Sequence, residues 1–118
     1  MPFIQFHKQN LGSGATYDPL DGWQYERLPM SESGRWLVEM AFNASAIASA
    51  NVTVTSGSDT LAEDQPVGGG GTDGVIPDTD KPLLVDEAMA GDKIKIHFRE
   101  TAAAGTVDIQ GWCRVTPL

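Results

Sequence analysis

Few residues in this chain are equipped for chemistry, and their spacing limits what they can do. The most unusual stretch, PVGGGGTDGVIPDTDKP over residues 66–82, sets four consecutive glycines ahead of Asp73, Asp78 and Asp80. A phosphate-binding glycine loop leads from a strand into a helix N-terminus, where amide dipoles attract the anion, and a Walker-type loop also needs Lys followed by Ser or Thr. Here no helical pattern follows Gly71, and the carboxylates repel an anion. Calcium takes several oxygen ligands, and Asp59, Asp64, Asp73, Asp78 and Asp80 could supply them from one loop, but their spacing matches no EF-hand. The expectation is therefore no metal and no cofactor. A glycine-rich acidic tether gives reach instead, carrying Val75, Ile76 and Pro77 out to a neighbouring surface, with a disordered loop as the equally serious alternative.

Catalytic groups are equally sparse. His7 and His97 are the only imidazoles, and no Ser sits in a Gly-x-Ser-x-Gly elbow. Cys113 falls on the inward phase of its segment, so no nucleophile with its base can be assembled by motif. Asp and Glu pairs can do acid–base work, but nothing singles out one pair. The chain is expected not to be an enzyme.

The aromatic residues say more. In TVDIQGWCRVT, Val107, Ile109, Cys113 and Val115 share one phase, with Gly111 between them as a bulge or a close contact. Trp112 then shares the opposite, polar face with Asp108, Gln110 and Arg114. An indole there contacts a stacked sugar ring, a neighbouring subunit, or a loop of its own chain folded across, unless a bulge at Gly111 turns it inward. At the other end of the chain, FIQFH precedes a Gly/Ser/Pro-containing connection, so residues 1–21 read as an arm and its tether. Its Phe3, Ile4 and Phe6 must be buried by their own sheet or by a partner's.

These residues are held by elements that repeat every two positions. RWLVEMAF (35–42) puts Trp36, Val38, Met40 and Phe42 on one face, and KIKIHFR (93–99) alternates Ile94, Ile96 and Phe98 with Lys93, Lys95, His97 and Arg99. NVTVT (51–55) points Val52 and Val54 inward and threonines outward. Weaker strands are FIQFH (3–7), WQYERL (23–28), with Trp23 and Tyr25 on one core-facing side, and PLLV (82–85). Turn signals separate them, among them Asp21-Gly22, Ser33-Gly34, Ser56-Gly57 and Gly91-Asp92. The best helical candidate, ASAIASA (44–50), spans two turns at most. The pattern predicts one all-β domain over residues 1–118, an antiparallel β-sandwich of jelly-roll type with seven to eight strands. Residues 56–81 read as a long acidic loop, almost without strand character except for GVIP (74–77).

Composition agrees with a single folded core. The chain has 118 residues, 41% of them apolar and 20% charged, with three Trp, four Phe and two Tyr as bulky core material. Its formal charge of -8 argues against nucleic acid, and nine of its sixteen acids lie between residues 57 and 92 beside the single base Lys81. No stretch approaches the roughly 20 apolar residues of a membrane span, and no signal-peptide pattern opens the sequence. Those features, with Cys113 as the lone cysteine, lead us to expect synthesis in a cytosol and no membrane partner. Asn43-Ala44-Ser45 and Asn51-Val52-Thr53 match the glycosylation sequon, which matters only in a secreted protein.

Taken together, GRWLVEMAFNAS, AGDKIKIHFRE and GTVDIQGWCRVTPL resemble successive strands of the small all-β decoration, or cement, proteins on the outside of tailed-bacteriophage capsids. The resemblance covers residues 23–116, is architectural, and carries over no functional position. It implies a virion-surface structural protein, made in the host cytoplasm, that docks on the major capsid protein or a similar lattice and bridges capsomers, as a homo-oligomer with a trimer favoured. SGRWLVEM followed by ANVTVTSG is also similar to carbohydrate-binding jelly rolls. That likeness implies a sugar site built on Trp112, Asp108, Gln110 and Arg114.

Overall fold

The computed structural model describes residues 2–12, 14–45, 50–68, 77–101 and 107–118. Among them are no helix and eight strands: β1 (Phe3–Leu11), β2 (Thr16–Tyr17), β3 (Arg35–Ala44), β4 (Ala50–Ser56), β5 (Asp59–Pro66), β6 (Leu84–Met89), β7 (Ile94–Glu100) and β8 (Val107–Pro117). They pair antiparallel throughout. The two four-stranded sheets run β1-β8-β3-β6 and β2-β7-β4-β5. Non-consecutive neighbours in both sheets mean that the chain crosses between sheets as it goes.

The core is built by the alternation legible in the sequence. Val38 and Met40 of β3, Val54 of β4, Ile94, Ile96 and Phe98 of β7, and Ile109, Cys113 and Val115 of β8 are all 0% exposed. Fully burying an aliphatic or phenyl side chain of this size stabilises the fold by roughly 1.5–3 kcal/mol. Phe98 is the hub, with its ring 5.3 Å from Phe42 (edge-on), 5.9 Å from Phe6 and 6.2 Å from Tyr17.

Gly111 makes room for that cluster. It lies directly between Phe6 on β1 and Phe42 on β3 in the ladder. A Cβ there would sit 2.4 Å from the Ala41 carbonyl oxygen, 2.7 Å from Phe6 Cζ and 2.8 Å from Phe42 Cβ. The glycine is thus a close contact and not a bulge, because the β1–β8 register runs unbroken from Phe3↔Arg114 to Lys8↔Ile109. The irregularity in β1 comes later, between Lys8 and Leu11.

Three stretches depart from the sequence-based expectation. Residues 59–66, read as loop, form β5, which follows β4 through a two-residue turn at Gly57 and Ser58. Gly57 has φ +60°, the positive value that the first central residue of a type II′ hairpin demands. Residues 3–11, of which FIQFH is expected as a weak strand on an arm buried by its own sheet or a partner's, form a longer edge strand paired with β8 of the chain's own sheet. Residues 23–28, read as a strand, make only the isolated bridge Arg27↔Lys93. That segment is fastened by backbone bonds from Leu28 N to Asp92 O, Gly91 N to Leu28 O and Ile94 N to Glu26 O. Residues 46–49 of the short helical candidate lie outside the described residues; Ala44 ends β3 and Ala50 begins β4.

Candidate docking site

The sequence-predicted positions do not converge. Phe6 is 5% exposed and belongs to the core, Ile4 packs half-buried against it, and Phe3 is 40% exposed on the outer face of the sheet. The predicted arm triad is therefore divided, because strand alternation sends neighbouring side chains to opposite faces. Of the predicted loop contacts, Val75 and Ile76 lie outside the described residues, as do Gly69, Gly70, Gly71 and Asp73, while Pro77 is half-buried.

Trp112, Asp108, Gln110 and Arg114 do share one face of β8, but the site drawn on them needs correction. Sugar stacking requires an indole face open to solvent, and Trp112 is 0% exposed, as is Gln110. The Phe3 ring lies 6.0 Å from Trp112, and the Arg114 guanidinium carbon sits 5.0 Å over the indole. Arg114 is held there by Nε donating to Glu39 Oε1 at 3.2 Å and Nη2 donating to the Thr79 carbonyl at 3.4 Å. The Gln110 amide nitrogen donates to Asn43 Oδ1, and Asp108 N donates to Ser45 Oγ at 3.0 Å. This face is a polar layer over the sheet, closed by the chain's own residues.

The outer face of the second sheet is polar, and several of its side chains pair with one another. Arg99 Nη2 donates to both carboxylate oxygens of Asp64, at 2.9 and 3.1 Å, and Asn51 Nδ2 donates to Asp64 Oδ1 at 3.3 Å. These bonds, that of Arg99 foremost, hold the Asp64 carboxyl below the usual carboxylate range. Asp64 has φ +47°, a left-handed conformation that Asp tolerates better than most residues, and its N–H donates to Thr53 Oγ1. Alongside, His97 Nδ1 and Asp18 Oδ1 are 2.7 Å apart, which ties the β2 connection to β7.

No catalytic set is assembled by these contacts. Burial pushes the Cys113 thiol up to about 12, so almost no thiolate forms at neutral pH. Among the described residues no three His, Cys, Asp or Glu side chains come together as metal ligands, and no helix is long and apolar enough to cross a membrane.

Two features that sequence reasoning missed remain open to solvent. One is a shallow groove at an end of the sandwich, lined by Pro2, Phe3, Trp23, Gln24 and Tyr25. Trp23 and Tyr25 are half-buried, 5.5 Å apart, and packed against the core from the non-strand segment. The other is β6, an edge strand that among the described residues has a neighbouring strand on one side only. Leu83, Val85 and Met89 are 58%, 55% and 56% exposed, while Leu84, Asp86 and Ala88 point to the inner side. The signal for β6 was present in LVDEAM, where apolar residues occupy both phases; a strand with one wet face shows them on one.

Comparison with known proteins finds no matching family model, no similar curated protein and no similar solved structure.

Proposed function

We propose that this chain is a structural, non-enzymatic docking protein: a jelly roll that seats on the outside of a larger protein shell, as phage capsid decoration proteins do. The strand order supports the jelly-roll reading, since β1-β8-β3-β6 facing β2-β7-β4-β5 is the pairing produced by wrapping an eight-stranded antiparallel ribbon into two Greek keys. The observation that carries docking is the location of open apolar surface. Val85 and Met89 of the edge strand, and Leu83 just before it, stand more than half exposed within one short stretch, where a soluble domain ordinarily places polar residues. The partner in this reading is the major capsid protein or a comparable lattice at the virion surface, after synthesis in the host cytoplasm.

Its mechanism is contact area. One small domain offers a modest interface, and a homo-oligomer, with a trimer favoured, engages several lattice sites at once and so multiplies a weak single contact. The test is co-sedimentation of purified protein with shells assembled from a phage major capsid protein, together with light scattering of the free chain. Saturable binding at a fixed ratio by an oligomer is expected. A monomer that stays in the supernatant at every concentration overturns the proposal.

The groove at Trp23 and Tyr25 favours a second reading, a carbohydrate-binding module whose ring-stacking residues are these two and not Trp112. It predicts retention on a polysaccharide column that is lost in Trp23→Ala. An unretained wild-type protein removes this reading.

A further inference from the structure

Each four-stranded sheet has two edges, and three of the four resulting edge strands are blunted. β1 carries a register break between Lys8 and Leu11, β2 has only two residues, and β5 has two register breaks against β4 and a left-handed Asp64. Bulges, short length and charges on an edge are the devices by which sheets avoid unwanted pairing. β6 is different. Its register with β3 is unbroken over its whole length, from Met40↔Leu84 to Arg35↔Met89, where that of β1 breaks after Lys8; it contains no proline, and Val85 and Met89 stand open on its outer face.

The charges around β6 choose its partner. Between residues 78 and 92 the chain carries Asp78, Asp80, Asp86, Glu87 and Asp92 against Lys81 alone. Glu87 is paired with Arg35 at 2.8 Å, and Asp92 Oδ2 accepts from Met89 N at 3.0 Å. Asp86 lies on the inner side opposite Val38, and its Oδ2 is shielded from solvent with no hydrogen-bond partner among the described residues. A shielded, unsatisfied carboxylate oxygen costs free energy that a donor from outside would recover. A second copy of this chain cannot supply that donor from its own β6, because the two acidic strands would repel.

We propose that β6 is the docking edge and that its occupant is an extended, basic segment of the partner protein, added as a further strand to the β1-β8-β3-β6 sheet. Main-chain bonds to the side of β6 facing away from β3 supply affinity at Val85 and Glu87, since at Met89 both backbone groups are already bonded to Asp92, and alternate side chains supply specificity. On the outer face the segment places apolar residues beside Val85 and Met89; on the inner face it places Lys or Arg beside Asp86. This inference rests on the docking function proposed above and names the surface and the chemistry of the partner segment.

The experiment uses the full chain and a short synthetic peptide that alternates valine and lysine, followed by fluorescence anisotropy and by hydrogen exchange. Binding is expected, with new protection confined to residues 83–89. Peptides with glutamate in place of lysine, or with a central proline that removes a ladder bond, are expected not to bind. Asp86→Asn is expected to weaken binding about tenfold, and Val85→Lys at least as much. Binding of the proline peptide as tight as that of the parent peptide, wild-type affinity in both variants, or protection outside 83–89 overturns the inference. If Asp86→Asn does not fold, Val85→Lys at an exposed position and the peptide controls decide the question. Shells that bind wild type and Val85→Lys equally sink this inference while leaving the docking function in place, whereas shells that bind neither sink the docking function itself.

Discussion

β1 and β6 are the two edges of one sheet, and they have been put to opposite uses. β1 sends Phe6 into the central aromatic cluster, rests Phe3 on Trp112, and is interrupted by its register break at Lys8–Leu11. β6 contributes only one fully buried side chain, Ala88, and leaves Val85 and Met89 in water. The contrast teaches that an edge strand is committed either to the core or to the surface by how far its inward side chains reach. A phenyl ring over Gly111 locks the first, while the methyl of Ala88, the carboxylate of Asp86 and a half-buried Leu84 hold the second to the core less deeply.

The most damaging way to probe this contrast is Phe6→Ala, which removes a ring from a packed cluster and is expected to cost about 3–5 kcal/mol in urea unfolding. A cost below about 1 kcal/mol would mean that β1 is an appended arm after all. Next is Gly111→Ala, whose Cβ meets backbone at 2.4 Å and two phenylalanines below 3 Å. We expect a loss of about 3 kcal/mol, because the Ala41 carbonyl cannot step aside as a flexible side chain would. In β6, by contrast, Val85→Lys is expected to change stability by no more than about 0.5 kcal/mol, since the side chain it replaces is solvated. A large loss there would show that β6 is part of the core.

The smallest effect concerns the β5 edge and is read against pH. Asp64 titrates below its unfolded value of 3.8, chiefly through Arg99, so its contribution is present above that value and disappears as the pH falls through its lower folded value. Asp64→Asn keeps a residue that accepts positive φ. Its urea midpoint should lie below that of wild type at neutral pH, and the gap should close as the solution is acidified below about pH 4. A gap that persists unchanged at pH 2 would assign the effect to backbone strain.

How far the sequence reveals this molecule depends on which forces set each segment. β3, β4, β7 and β8 were legible because each turns a face of alternating apolar residues into the core, which the two-residue spacing of Val, Ile, Phe and Trp records directly. β5 was not, since residues such as Asp59, Glu63 and Asp64 are exposed on an outer strand whose inward positions are filled by Leu61 and Ala62 only half-buried. The 23–28 segment misled in the other direction. Trp23 and Tyr25 sit two apart, as on a strand, yet they cap an end of the sandwich, and the segment's bridge is made further on, by Arg27 to Lys93. For the candidate site, the face shared by Asp108, Gln110, Trp112 and Arg114 was predictable, but not its closure. Phe3 and Thr79 come to it from more than thirty residues away in sequence. The open edge at β6 was written as apolar residues on both phases, a pattern that reads equally well as a buried strand until its neighbours are known.

The most direct test of the account is hydrogen exchange on the free protein and on the protein bound to its shell. We predict that binding slows exchange in residues 83–89 and leaves 3–11 unchanged, because β6 leaves Val85 and Met89 exposed beside its edge whereas β1 commits Phe6 to the core and Phe3 to Trp112. Slowed exchange in 3–11 with none in 83–89 would contradict it.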